Sequence, residues 1–236
     1  MKKLIYGATI ISALLLGACE GGESANEDTR EEEVTSEEVN SKEEATSEEA
    51  LHYFSSIAFG NEWDDEDTPI RKWLSDPRIK VFGNPAPQDL EALQQVVDDI
   101  NSTQSSITLT IVEEYPNIKL YFVPLEDFSL YVINPTPNNW GLFYYWWDNY
   151  AITRATLLIS TDKTTPRERE HLIREELTQS LGLVRDSYQY PDSIFYGDWT
   201  TTTTFAPIDE QLLKMLYDDR IKPGMTKAQV QSVFSP

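Results

Sequence analysis

The sequence predicts an α+β domain in which a mixed sheet is backed by long helices. Three observations point there. Residues 87–100 (PQDLEALQQVVDDI) set Leu90, Leu93, Val96, Val97 and Ile100 on one side of a helix. The runs SITLTIV (106–112), NIKLYFVP (117–124) and ATLLIS (155–160) are β-branched or alternating and of strand length. A second long helix fits residues 166–181, with Thr165 as N-cap and Gly182 at its stop.

The remaining elements follow in order. Composition changes at Leu51, where LHYFSSIAF brings apolar and aromatic residues back at helical spacing and opens a domain over 51–236, long enough for a sizeable core. Thr68 and Pro69 form an N-cap and first-turn pair for a short helix IRKWL (70–74), which Asp76-Pro77 ends. RIKVFG (78–83) reads as a strand, and a Pro-Asn turn separates the runs at 106–112 and 117–124. Two helices, 208–217 and 227–234, close the chain, the second with Thr226 and Gln229 as a capping-box pair. No internal repeat is visible.

The N-terminal end is of another kind. MKKLIYGATIISALLLGAC has two lysines and an apolar run too short to cross a bilayer of about 30 Å, the layout of a secretory signal over residues 1–18. Its ending, Leu16-Gly17-Ala18-Cys19, resembles the lipobox of bacterial lipoproteins, in which the peptide is cut before a cysteine that receives fatty acyl chains of the palmitate kind. That resemblance implies a lipid-anchored, extracytoplasmic protein of the cell membrane. At about 0.8 kcal/mol per buried CH₂, two chains on Cys19 make a stable anchor. Cys19 is the only cysteine, so disulfides and cysteine nucleophiles are excluded.

Residues 20–50 hold 13 acids against Arg30 and Lys42, about half of the net charge of -21. With no aromatic residue, 19–50 is expected as a disordered acidic tether that holds the domain off the membrane, a spacer that leans toward a Gram-positive envelope. The acidic balance leaves no basic face for phosphates, which argues against nucleic acid.

The stretch EELTQSLGLVRD (175–186) is the most specific in the chain. At 100° per residue Glu175, Gln179, Gly182 and Asp186 fall within about 60° of one another, with His171 at the margin and Ile173, Leu177 and Leu181 opposite. This predicts a core face and a separate polar face where any chemistry belongs.

The string is similar to the zinc-binding consensus of metzincin peptidases, HExxHxxGxxH/D. Glu175 takes the place of the first histidine, Glu176 matches the general-base glutamate and Gln179 takes the second histidine. Gly182 matches the turn glycine, Arg185 takes the third ligand position, and Asp186 matches the aspartate that commonly follows. Ser193-Ile194-Phe195 resembles the methionine turn with Phe195 in place of Met. Over the C-terminal third, EE-x-x-Q-x-LGL-x-x-D-S, PDSIF and DEQLLKMLYDDRIKPGMT resemble a bacterial family of unknown function numbered 2927. The threonine run 200–204 departs from its pattern. The resemblance implies a metzincin-like fold without the zinc-ligand histidines, and no established activity.

Catalytic zinc needs three protein ligands from His, Cys, Asp or Glu and an open position. The three positions offer a carboxylate, an amide and a cation, and a guanidinium about 4 Å from a divalent ion costs about 8 kcal/mol at an effective dielectric of 20. No metal and no other cofactor is therefore expected. Arg185 is expected to fold back on Glu175 or Glu176, with Gln179 bridging. An alternative metal set is His171 with Glu175 and an outside carboxylate; otherwise His171, beside the charged run RERE (167–170), is expected at the surface.

WGLFYYWWDNY (140–150) offers Trp140, Tyr144, Trp146 and Trp147 as ligand-stacking candidates, against a reading as core and edge strand. In peptidases of the resembled type the cleft-lining strand precedes the motif helix, which would put this strip or ATLLIS beside it. The acidic stretch GNEWDDEDTP (60–69) lacks the spaced ligands and glycine of a calcium loop. The sequence thus predicts an envelope pseudo-protease that binds a peptide, a glycan or another envelope protein without catalysis; the alternative is a divergent hydrolase with Glu176 as general base.

Overall fold

The computed structural model describes residues 5–8, 47–60, 68–133, 135 and 138–234. The lipobox with Cys19, the tether as far as residue 46 and residues 61–67 of the acidic stretch lie outside them.

The α+β class is the one observed. The described elements are strand β1 (Ile5–Ala8), helix α1 (Ser47–Ile57), β2 (Lys72–Trp73), β3 (Arg78–Gly83), α2 (Pro87–Thr103), β4 (Thr110–Ile111) and β5 (Ile118–Val123). A 3-10 helix (Leu125–Leu130) follows, then β6 (Gly141–Asp148), β7 (Ala151–Ser160), α3 (Pro166–Gln179), α4 (Pro207–Leu216) and α5 (Lys227–Phe234). The strands form one sheet in the order β1-β6-β7-β5-β3-β4, with β2 pairing the start of β7. β3, β4, β5 and β7 run parallel; β6 is antiparallel to β7 and to β1.

Local chemistry accounts for most of these elements. α2, α3 and α4 each start with proline at the first helical position, and each has an acid two residues later whose carboxylate takes the N–H of the cap residue. The pairs are Asp89 with Ala86, Glu168 with Thr165 and Asp209 with Ala206, at 2.7, 2.6 and 2.9 Å. The β6–β7 hairpin turns on Asn149 and Tyr150, both at positive φ, as a two-residue turn that matches strand twist requires.

Two expectations fail here. IRKWL is not a helix: Lys72 and Trp73 form β2, pairing Ala151 and Ile152, because the buried Trp73 ring anchors the segment to the sheet. Tertiary packing there outweighs the cap signal at Thr68. In the run 106–112 only Thr110–Ile111 is strand, at the sheet's edge.

One face of the sheet packs against the helices in the main core, which holds Leu93, Val96, Val97, Ile100, Leu172, Ile173, Leu177 and Leu212. Leu90, predicted on the core side of α2, is instead 43% exposed. The other face carries a smaller cluster of Val123, Phe128, Leu142, Tyr144 and Leu158, beneath the 3-10 helix.

Candidate functional site

Helix α3 carries the motif and is buried on every side. From His171 to Gln179 every residue is buried, with Glu175, Glu176 and Gln179 at 1%, 0% and 1% exposure. The predicted polar face exists, but it faces protein. The helix packs against β6 and β7, so the aromatic strip and ATLLIS do lie beside it. A Cβ at Gly141, the first residue of β6, would fall 2.7 Å from Glu176 Oε1, so the strand passes close over that carboxylate.

His171 is buried at 3% exposure, contrary to the surface position expected from RERE; helix geometry turns it inward while its neighbours stay at the rim. Its Nδ1 donates to the Thr202 carbonyl at 2.7 Å and its Nε2 lies 3.3 Å from Glu175 Oε2. Burial pulls the imidazole pKa down, but the Glu175 carboxylate and the Thr202 carbonyl more than offset it, and the net direction is upward. The nitrogen that donates to the Thr202 carbonyl has no lone pair for a metal. The ring also packs edge-on to Trp199, which packs edge-on to Trp140, each at 5.5 Å between centroids.

Gln179 donates to Asp186 Oδ1 at 2.8 Å. The Arg185 guanidinium lies against Gly60, where a Cβ would fall 2.2 Å from its central carbon. The backbone N–H groups of Val184 and Arg185 both reach the Ile57 carbonyl at 3.1 Å, tying the segment after α3 to α1. Gly182, at φ +122°, closes on the Arg71 carbonyl, which a Cβ would approach to 2.0 Å. The Trp73 indole N–H and the Tyr217 hydroxyl satisfy the Ser180 and Leu181 carbonyls at 3.1 Å each.

A zinc ion does not suit this donor set. One carboxylate is engaged with an imidazole, the amide is engaged with Asp186, and the third position is a guanidinium. Among the described residues no three His, Cys, Asp or Glu side chains are grouped to hold a metal.

The turn Ser193-Ile194-Phe195 sits on a second buried network, which the sequence did not announce. Asp209 accepts from Ser193 Oγ at 2.6 Å, Ile194 N at 3.0 Å and Ala206 N at 2.9 Å. Tyr53 donates to Ser193 Oγ at 2.9 Å, and so does Phe195 N at 3.0 Å. Burial pushes the Asp209 carboxyl up to about 6, against the donors that pull it down.

The aromatic strip divides. Tyr144, a stacking candidate, is buried in the smaller core and unavailable to a ligand, because alternation in β6 turns it under the 3-10 helix with Leu142. Trp140, Trp146 and Trp147 are partly exposed. Arg154 lies over Trp146 at 4.1 Å and Arg71 over Trp147 at 4.3 Å, so each of these rings already carries a cation on one face.

Fold and site together define an α+β domain built around a buried polar helix beside a sheet-edge hairpin. The chain belongs to the family described as Protein of unknown function (DUF2927), whose model matches residues 47–235. A search of curated proteins finds no match. Among solved structures the chain is similar to two of myroilysin. One, "Crystal structure of myroilysin", has 14% identity and a TM-score of 0.41 over 70% of this chain and 93% of that one. The other, "Structure of myroilysin", has 12% identity and a TM-score of 0.39 over 69% and 98%.

Proposed function

We propose that the domain is a non-catalytic peptide-binding module, held at the cell envelope by lipid on Cys19, which takes an extended peptide along the outer edge of β6. The observation that carries the reading is the register Ile5–Ala8 against Tyr145–Leu142: this edge pairs antiparallel with a strand from a distant part of the chain. In the mature lipoprotein, cleavage before Cys19 removes that strand and leaves a row of N–H and C=O groups that suits strand addition. Trp146 and Trp147 stand at the far end of the same strand and Trp140 just before its start, placed to hold side chains of an added peptide.

Burial of Glu176 supports the absence of catalysis. A general base must reach the proton it abstracts, directly or through one water, and a carboxyl at 0% exposure beneath β6 does not. The test adds the peptide KLIYGATI, residues 3–10, to the mature chain and follows hydrogen exchange at Leu142, Phe143, Tyr144 and Tyr145. Slower exchange on one edge of β6, with no cleavage of the peptide, is expected. Unchanged exchange at millimolar peptide rejects strand addition; cleavage that is lost in Glu176→Gln would restore the hydrolase.

A further inference from the structure

The threonine run 200–204 plays no part in the reading above, yet it leads into a cavity. Between α2, α3 and the start of α4 lies a space of about 320 Å³, walled by Asp99, Glu170, Arg174, Thr203, Thr204 and Phe205 among others. It is at the small end of ligand-binding cavities.

Arg174 is the unusual member. Its residue is 1% exposed, its Nη2 donates to Asp99 Oδ2 at 2.7 Å, and its guanidinium stacks on the Phe205 ring at 4.5 Å. Its Nε and Nη1 have no acceptor among the described residues. Buried N–H groups of a cation without partners are costly, and an oxygen that reached them would supply the acceptor they lack.

The rest of the wall narrows the chemistry of that ligand. An anion is disfavoured, because Asp99, Glu170 and Glu210 set three carboxylates against one guanidinium. A purely apolar ligand would leave the carboxylates and the Thr203 and Thr204 hydroxyls unmatched. A cation would face Arg174 and leave its donors as they are. What remains is a neutral molecule with a strong carbonyl acceptor for the guanidinium and hydroxyl donors for the carboxylates.

We propose that this cavity binds an N-acetylated sugar unit, its acetamido carbonyl toward Arg174 and its hydroxyls toward Glu170, Thr203 and Thr204. The site lies on the α2 side of α3 and is separate from the β6 edge. Thr202, whose carbonyl holds His171, immediately precedes its two threonines, so an occupant would also steady that contact.

The test is a ¹⁵N-resolved NMR titration of the full-length chain with tri-N-acetylchitotriose, with maltotriose and acetate as comparators. Shifts at Glu170, Arg174, Thr203 and Thr204 are expected, with maltotriose at least about tenfold weaker for want of the acetamido group. Arg174→Lys keeps the charge, removes the planar fork and should weaken binding about tenfold. If that variant does not fold, Glu170→Gln at the cavity wall should weaken binding severalfold instead. No shift at these residues by about 10 mM sugar overturns the proposal. An equal response to acetate overturns it in favour of an anion site, and shifts confined to Trp140, Trp146 and Trp147 overturn it in favour of the aromatic strip.

Discussion

The polar face of α3 and the network beneath the Ser193 turn are both buried, both hydrogen-bonded, and yet serve the molecule differently. Under the turn, one carboxylate gathers two backbone N–H groups and a hydroxyl, so Asp209 joins the turn to the first turn of α4. On α3 the polar residues reach other side chains and a loop carbonyl: Glu175 to His171, Gln179 to Asp186, His171 to Thr202. The first network fixes the path of the main chain. The second fills space between elements that already have their shape. The difference teaches that a buried polar face can either fix the path of the main chain or fill the space between elements.

If this division is right, breaking the turn costs most. Asp209→Ala strands three buried donors, each worth about 1–3 kcal/mol, so urea unfolding should show a loss of about 5 kcal/mol; a loss under about 1 kcal/mol would mean the turn stands without it. Gly182→Ala comes next, at about 4 kcal/mol, because the residue must adopt φ +122° with a Cβ against the Arg71 carbonyl. A variant that melts like the wild type would show that the segment after α3 can move.

The turn network should also be visible in pH. With the Asp209 carboxyl raised to about 6 in the fold, above its ordinary value of 3.8, the folded state holds a proton the unfolded state has released. Its contribution is then complete at low pH and is lost as pH rises through about 6, a fall of about 3 kcal/mol. Asp209→Asn should flatten that part of the stability curve; an unchanged slope between pH 4 and pH 6 would assign it to another group.

Much of the frame was legible because it rests on local signals. The apolar face of α2, the Thr165 cap of α3, the β-branched runs of β5 and β7 and the glycine stop at Gly182 all act within a few residues of themselves. What was not legible depends on distant partners. The segment 70–74 reads as a helix until β7 offers Trp73 a pairing edge, and Tyr144 reads equally as a stacking aromatic or as core until the 3-10 helix covers it. The same holds for the site. Spacing placed Glu175, Gln179 and His171 on one face, but only the fold reveals that Thr202, thirty-one residues along, supplies the carbonyl that turns His171 inward. Asp209 lies in the helix expected over 208–217, but its role as the anchor of the Ser193 turn was not visible, because its partners are sixteen and fifteen residues away.

The smallest effect belongs to the α3 network, and it separates the two regions most cleanly. His171 has a folded pKa raised above its ordinary 6.5, so its contribution is complete below that value and is lost as pH rises through the folded one. Wild-type melts should therefore lose stability as pH rises above 6.5 in a way that His171→Gln does not. Glutamine keeps a donor for the Thr202 carbonyl but has no charge to offer Glu175, so at high pH the two proteins should converge. Direct titration of the His171 ring by NMR checks the same point from the other side. A midpoint below 6.5 would mean that burial prevails over Glu175 and that the ring is neutral in the fold. In that case one imidazole nitrogen keeps a lone pair, and the α3 face would have to be read again as a place where a proton or a ligand is exchanged.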